Sequence, residues 1–208
     1  MSTEMVVLVH GIWMTGLDLF PLAKRLQGRG FETRIFRYPS LRRPPAANGE
    51  ALAAFVRELD APVVHLVGHS LGGIVILHAL QADPDLPPGR VALVASPVQG
   101  SAVARVMSRW RLIAPWVLGR STERGLLGDA PKTVSNREVL TISGGLPVGL
   151  GRVFADLPGP HDGTVSVSET KLRGVKARRV LPTTHTGVVL SSTTADLVSA
   201  FLRDGELP

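Results

Sequence analysis

Short apolar runs recur along the chain, separated by stretches in which apolar positions repeat every three or four residues. Three runs are almost continuously apolar: 5–9 (MVVLV), 63–67 (VVHLV) and 91–95 (VALVA). Runs of this length and β-branched content predict strands buried on both faces. Residues 33–38, 138–143 and 177–181 complete a set of six expected strands. Helical spacing lies between them. Leu19, Leu22, Ala23 and Leu26 mark one face of a helix over 17–29, and Leu52, Phe55, Val56 and Leu59 one over 50–59. A third begins after Ser70 and runs to about residue 82. Leu197, Val198, Phe201 and Leu202 mark a closing helix over 193–203. Strands that alternate with helices, and that lack an in–out alternation of their own, predict a mainly parallel sheet covered on both sides, an α/β fold. No repeat and no linker interrupts the pattern, so residues 1–208 are read as one domain. Two stretches escape the pattern. Residues 144–160 form a loop rich in Gly and Pro. Residues 101–128 are helical in parts, carry Trp110, Ile113, Trp116 and Val117, and are broken by Pro115; they read as either a small lid or a core helix.

Composition narrows the setting. The 208 residues contain no cysteine, which removes disulfides, thiolate nucleophiles and thiolate metal sites. No apolar run reaches the length of a membrane span, and the start lacks the pattern of a secretory signal, so a cytoplasmic location is expected. The formal net charge is +6. Scattered arginines and an aromatic content of 5% argue against a nucleic-acid partner and for a solvated basic surface. Membrane association is conceivable but not expected. Composition says nothing of oligomeric state.

The chemistry centres on Gly68-His69-Ser70-Leu71-Gly72, between an expected strand and an expected helix. A G-x-S-x-G there permits a sharp turn with a serine at its tip, where the free N–H groups of the helix start favour developing negative charge. A serine hydroxyl needs a base, and the base an orienting carboxylate. Of six histidines, His65 lies in a strand and His78 on a helix body, both expected to be packing or surface residues. His185 follows the last strand, in a loop where a base can reach Ser70. Asp156 and Asp162 both precede it. Asp162 is preferred because it opens an Asp-Gly turn whose carboxylate can accept from an imidazole, and the adjacent His161 is too close to Asp162 to be the base. One oxyanion donor is expected at Leu71 N–H. The other is expected in the loop after the first strand, at Ile12 N–H, with His10 bracing that loop and Gly11 allowing close approach. Trp13, His69 and Trp110 are the expected substrate contacts.

Four motifs in order, His10-Gly11, GHSLGG at 68–73, DGTV at 162–165 and the late His185, resemble the α/β-hydrolase superfamily, most nearly small bacterial lipase-like serine esterases. The resemblance implies a minimal α/β-hydrolase fold of about six mainly parallel strands with helices on both faces. The first two strands of the fuller fold have no room before residue 5, and no large cap domain fits. It implies Ser70 as nucleophile, His185 as base, Asp162 as acid and Ile12 and Leu71 N–H as the oxyanion hole. The implied reaction is hydrolysis of a small-molecule acyl ester, with no metal or organic cofactor. An acyltransferase or thioesterase would use the same residues, and a basic membrane-surface binding protein without turnover is the alternative from another class.

Overall fold

The structure is a computed structural model; it describes residues 4–208 apart from 135, 150, 152–154 and 158. Six strands form one sheet: β1 (Met5–Val9), β2 (Glu32–Phe36), β3 (Val64–His69), β4 (Val91–Val94), β5 (Val139–Gly144) and β6 (Ala177–Leu181). Their order is β2-β1-β3-β4-β5-β6 and every adjacent pair is parallel. This is the α/β-hydrolase architecture expected, and no cap domain is found among the described residues. The two edge strands differ from the centre. β6 exposes Arg178, Arg179 and Val180, and β2 exposes Arg34, because only one side of an edge strand is paired and its faces are less fully covered.

Period-two geometry divides the apolar residues between two layers. From β1, Val7 and Val9 pack with Leu66, Leu71, Ile74 and Leu77, on the side held by α2 (Pro45–Arg57) and α3 (Leu71–Ala82). Val6 and Leu8 point the other way, toward Leu22 and Leu26 of α1 (Phe20–Gln27) and Val198 and Phe201 of the closing helix. Helices therefore cover both faces.

Element boundaries depart from expectation in instructive places. The first helix opens as a 3-10 turn, Leu17–Leu19, before α1 proper. The second begins at Pro45, five residues ahead of the expected start at 50. Pro44-Pro45 reads as loop, but a proline costs nothing at the first helical position, where its missing N–H has no partner to lose. Within 101–128, α4 (Ala102–Met107) is capped by Ser101, whose Oγ accepts the Ala104 N–H at 3.2 Å. A single turn, α5 (Ala114–Val117), and a 3-10 turn, Gly119–Thr122, follow. Val103, Met107, Leu118 and Leu126 are buried, whereas α5 buries no residue and Leu112 and Trp116 are 88% and 83% exposed. The segment is thus a wall with an outward-facing hairpin of chain, and not a core helix. A single turn, α6 (Gly187–Leu190), and a full helix, α7 (Ser192–Asp204), close the fold.

The order of strands sets where a site can form. The chain leaves β1 toward β2 on one side and returns to β3 on the other, which opens a crevice at the carboxyl ends of β1 and β3. Val9 pairs with Gly68 in register, so the residues that come next, His10-Gly11-Ile12 after β1 and His69-Ser70 at the end of β3, emerge side by side.

Candidate active site

Ser70 stands between β3 and α3 with φ 52° and ψ −122°. A non-glycine residue rarely adopts such a conformation, and strain of this kind persists only where the surroundings enforce it. They do so here by close packing. A Cβ at Gly72 would lie 2.1 Å from the Val9 carbonyl oxygen, and one at Gly68 would lie 2.6 Å from the Gly73 backbone. The two glycines let the turn press against β1 and against its own helix.

The other two groups arrive from the far side of the sheet. His185 lies in the loop after β6, and its backbone N–H donates to the Asp162 carbonyl at 3.0 Å. Asp162 is 1% exposed and opens a tight turn. Its Oδ1 accepts the N–H groups of Thr164 (2.9 Å) and Val165 (2.7 Å), which leaves Oδ2 to accept from His185 Nδ1 at 2.8 Å. A carboxylate only accepts, so Nδ1 carries the proton and Nε2 keeps its lone pair. Nε2 lies 3.1 Å from Ser70 Oγ, positioned to accept the hydroxyl proton.

Beside Ser70, the Ile12 and Leu71 N–H groups make no hydrogen bond to another described residue. The Ile12 loop is held from behind. His10 stacks on Tyr38 with ring centroids 4.3 Å apart, its Nδ1–H donates to the Gly11 carbonyl at 2.8 Å, and its Nε2 accepts the Tyr38 N–H at 3.3 Å. The Tyr38 hydroxyl returns a bond to the His10 carbonyl at 2.8 Å. Burial pulls the His10 pKa below its ordinary value, in keeping with a neutral ring in this bonding pattern. Trp13 turns the chain with φ 62°; its N–H donates to Ser40 Oγ at 3.2 Å and its indole N–H to the Val117 carbonyl at 2.6 Å.

Ser70 and His185 open on a cavity of about 380 Å³, lined mainly by apolar groups including Met14, Val103, Met107, Leu118, Leu126 and Val165. Ile12 and Trp13 also line it; His69 and Trp110, two of the expected contacts, do not. His69 lies behind the relay. It is 1% exposed, and its Nε2–H donates to the His185 carbonyl at 3.1 Å. Asp156, the other candidate acid, makes no bond to either group. Among the described residues, no three His, Cys, Asp or Glu side chains gather as a metal site would require. Tyr38, Ser40 and the turn amides of Thr164 and Val165 were not legible as site residues. Val103 and Met107 carried a signal, one helical turn apart on one face.

His69 has a measurable consequence. Burial, and next the neighbouring His185, push its pKa down to about 3. Burial likewise lowers His10, His65 and His78. Below about pH 6.5 the unfolded chain takes up protons that the folded chain refuses, so stability present above that pH is lost as pH falls. From His69 alone, about 2–3 kcal/mol should be gone at pH 4.5. Urea unfolding at pH 7 and pH 4.5 measures the loss, and H69Q should make it smaller.

Comparisons with known proteins agree with this fold. The Bacillus licheniformis lipase BlEst2 in its propeptide form superposes with a TM-score of 0.83 at 20% identity, over 96% of this chain and 50% of that one. The chain thus spans half the length of that lipase form. The mature form gives 0.74 at 19% identity, over 97% and 91%. The metagenomic carboxyl esterase MGS0156 gives 0.75 at 16% identity, over 99% and 77%. Identities this low speak to the fold alone. No curated protein sequence matches significantly. The sequence profile of the alpha/beta hydrolase family matches residues 6–204, nearly the whole sheet and its helices, and the chain belongs to that family.

Proposed function

We propose that this protein is a serine hydrolase that cleaves carboxylic esters of small acyl groups through an acyl-enzyme. The observation that carries the reading is the continuous relay Ser70 Oγ, His185 Nε2, His185 Nδ1, Asp162 Oδ2, at 3.1 and 2.8 Å, beside two unengaged amides and an apolar cavity. In this scheme Ser70 Oγ attacks the ester carbonyl as His185 Nε2 takes its proton. The oxyanion accepts from Ile12 and Leu71 N–H, each such donor being worth about 2.7–4 kcal/mol to the transition state. Asp162 stabilises the imidazolium without taking its proton. His185 then protonates the leaving alkoxide, and the ester C–O bond breaks. A water, deprotonated by the same imidazole, attacks the acyl-enzyme and releases the acid and Ser70.

Two features favour hydrolysis over acyl transfer and bound the substrate. Trp13 and Val148 line the cavity yet are 57% and 60% exposed, so its mouth admits water to the acyl-enzyme. The cavity lies near the lower end of the roughly 300–1,000 Å³ typical of ligand pockets, which suits a short or medium acyl chain. The family membership and the structural likeness to a lipase and a carboxyl esterase support the same chemistry.

A fluorophosphonate probe should label the native chain and fail to label S70A. A series of p-nitrophenyl esters should show kcat/KM rising from acetate to a medium-chain optimum and falling for long chains. Equal labelling of S70A would reject the nucleophile, and an optimum at long chains would reject the substrate size.

A further inference from the structure

Beyond the reacting groups, the rim of the cavity carries exposed apolar side chains that the fold does not need. Leu112 and Trp116 are 88% and 83% exposed, on chain that lies between Met107 and Leu118, both cavity-lining residues. Neither Leu112 nor Trp116 lines the cavity itself. The same region is tied to two others. The Trp13 indole donates to the Val117 carbonyl, the Trp13 N–H donates to Ser40 Oγ, and the Arg120 N–H donates to the Leu41 carbonyl at 2.8 Å. Three segments, around residues 13, 40 and 116, therefore form one continuous surface.

The charge on that surface is mainly positive, with Glu123 at its border. From residue 100 to 122 the chain holds Arg105, Arg109, Arg111 and Arg120 and no acidic residue. Arg105 pairs with Glu169 and Arg120 with Glu123. Arg109 and Arg111, and Arg42 and Arg43 beside Leu41, are exposed and have no acidic partner among the described residues. An exposed Trp and Leu interleaved with unpaired guanidinium groups is poorly suited to bulk water. It suits the boundary of a bilayer, where an indole and a leucine enter the headgroup layer while arginines meet lipid phosphates.

We infer that Leu112 and Trp116, with the exposed arginines Arg42, Arg43, Arg109 and Arg111 of the same joined segments, dock this protein on the surface of an anionic lipid bilayer. The apolar pair supplies insertion and the arginines select negative headgroups. Docking would set the cavity mouth, at Trp13, close to the lipid. No helix among the described residues is long and apolar enough to cross a membrane. Binding is read without turnover, so the inference stands or falls apart from the acyl-enzyme reading.

The test is co-sedimentation of the full chain with vesicles of phosphatidylcholine, with and without phosphatidylglycerol. Binding should be at least about tenfold tighter to the anionic vesicles and should weaken with added salt. R109Q/R111Q should weaken it by roughly fivefold per arginine, and L112S/W116S should abolish the fluorescence blue shift on binding. R173Q/R179Q, with the same loss of charge at the opposite edge of the sheet, should bind like the native chain. All three variants should unfold at a urea midpoint close to that of the native chain, which shows they fold. Equal binding to neutral vesicles, equal loss in R173Q/R179Q, no vesicle binding, or burial of the patch in a dimer would each overturn the proposal.

Discussion

S70A should lower kcat toward a p-nitrophenyl ester by about 10⁵–10⁶-fold, close to the loss from removing every member of such a relay together. The size follows from the relay acting as a unit. Without Oγ, His185 has no hydroxyl to deprotonate, and the bond it makes to Asp162 orients a base with nothing to activate. S70A/H185A should therefore lose little beyond S70A. D162N should cost about 10⁴-fold, because an amide in place of Oδ2 favours the wrong imidazole tautomer. Thr164 and Val165 N–H hold Oδ1, so D162N can keep its turn only with the amide oxygen there, which presents its NH₂ to Nδ1. Pre-steady-state and steady-state kinetics on one soluble ester check the series. Additive losses would mean that the three groups do not act as a unit.

G72A should destabilise the fold by more than about 3 kcal/mol, at or beyond the usual range for overpacking. The added Cβ would lie 2.1 Å from the Val9 carbonyl oxygen and 2.6 Å from that of His10. Both neighbours are backbone, and Val9 belongs to a strand hydrogen-bonded on each side, so neither can rotate away as a side chain would. Relief requires α3 to move off β1, which opens the layer containing Val7, Leu71, Ile74 and Val75. Urea denaturation measures the loss. A midpoint near that of the native chain would mean that the turn is less tightly packed than the geometry indicates. G30A makes the contrast: Gly30 has φ 91° but nothing within 4 Å of its would-be Cβ, so its cost should be confined to backbone conformation.

The parts of the site legible in the sequence are those that local chemistry specifies. Gly68 and Gly72 are required by sterics within a few residues, and a turn at Asp162-Gly163 is written in two letters. His185 could be located because it follows a recognisable strand. What was not legible depends on tertiary approach. His69 reads as a residue beside the nucleophile facing substrate, yet β3 carries it inward, where the His185 carbonyl takes its N–H. Trp110 has the apolar character of a pocket wall, but the chain around it turns outward after Met107. The start of α2 is hidden from the sequence because proline signals a break except at the first helical position. The brace of His10 by Tyr38 depends on β1 and β2 lying side by side, which no short window of sequence contains.

The register between β1 and β3 divides the molecule's chemistry unequally. Ser70 and the amides of Ile12 and Leu71 hang from two interior strands, while the His185 imidazole hangs from an edge strand, three places away from β3. Fraying of that margin would withdraw the imidazole and leave the Ser70 hydroxyl and the two amides beside it assembled. The earliest casualty of warming is then the proton relay and not the fold, so loss of turnover and loss of structure need not share a temperature.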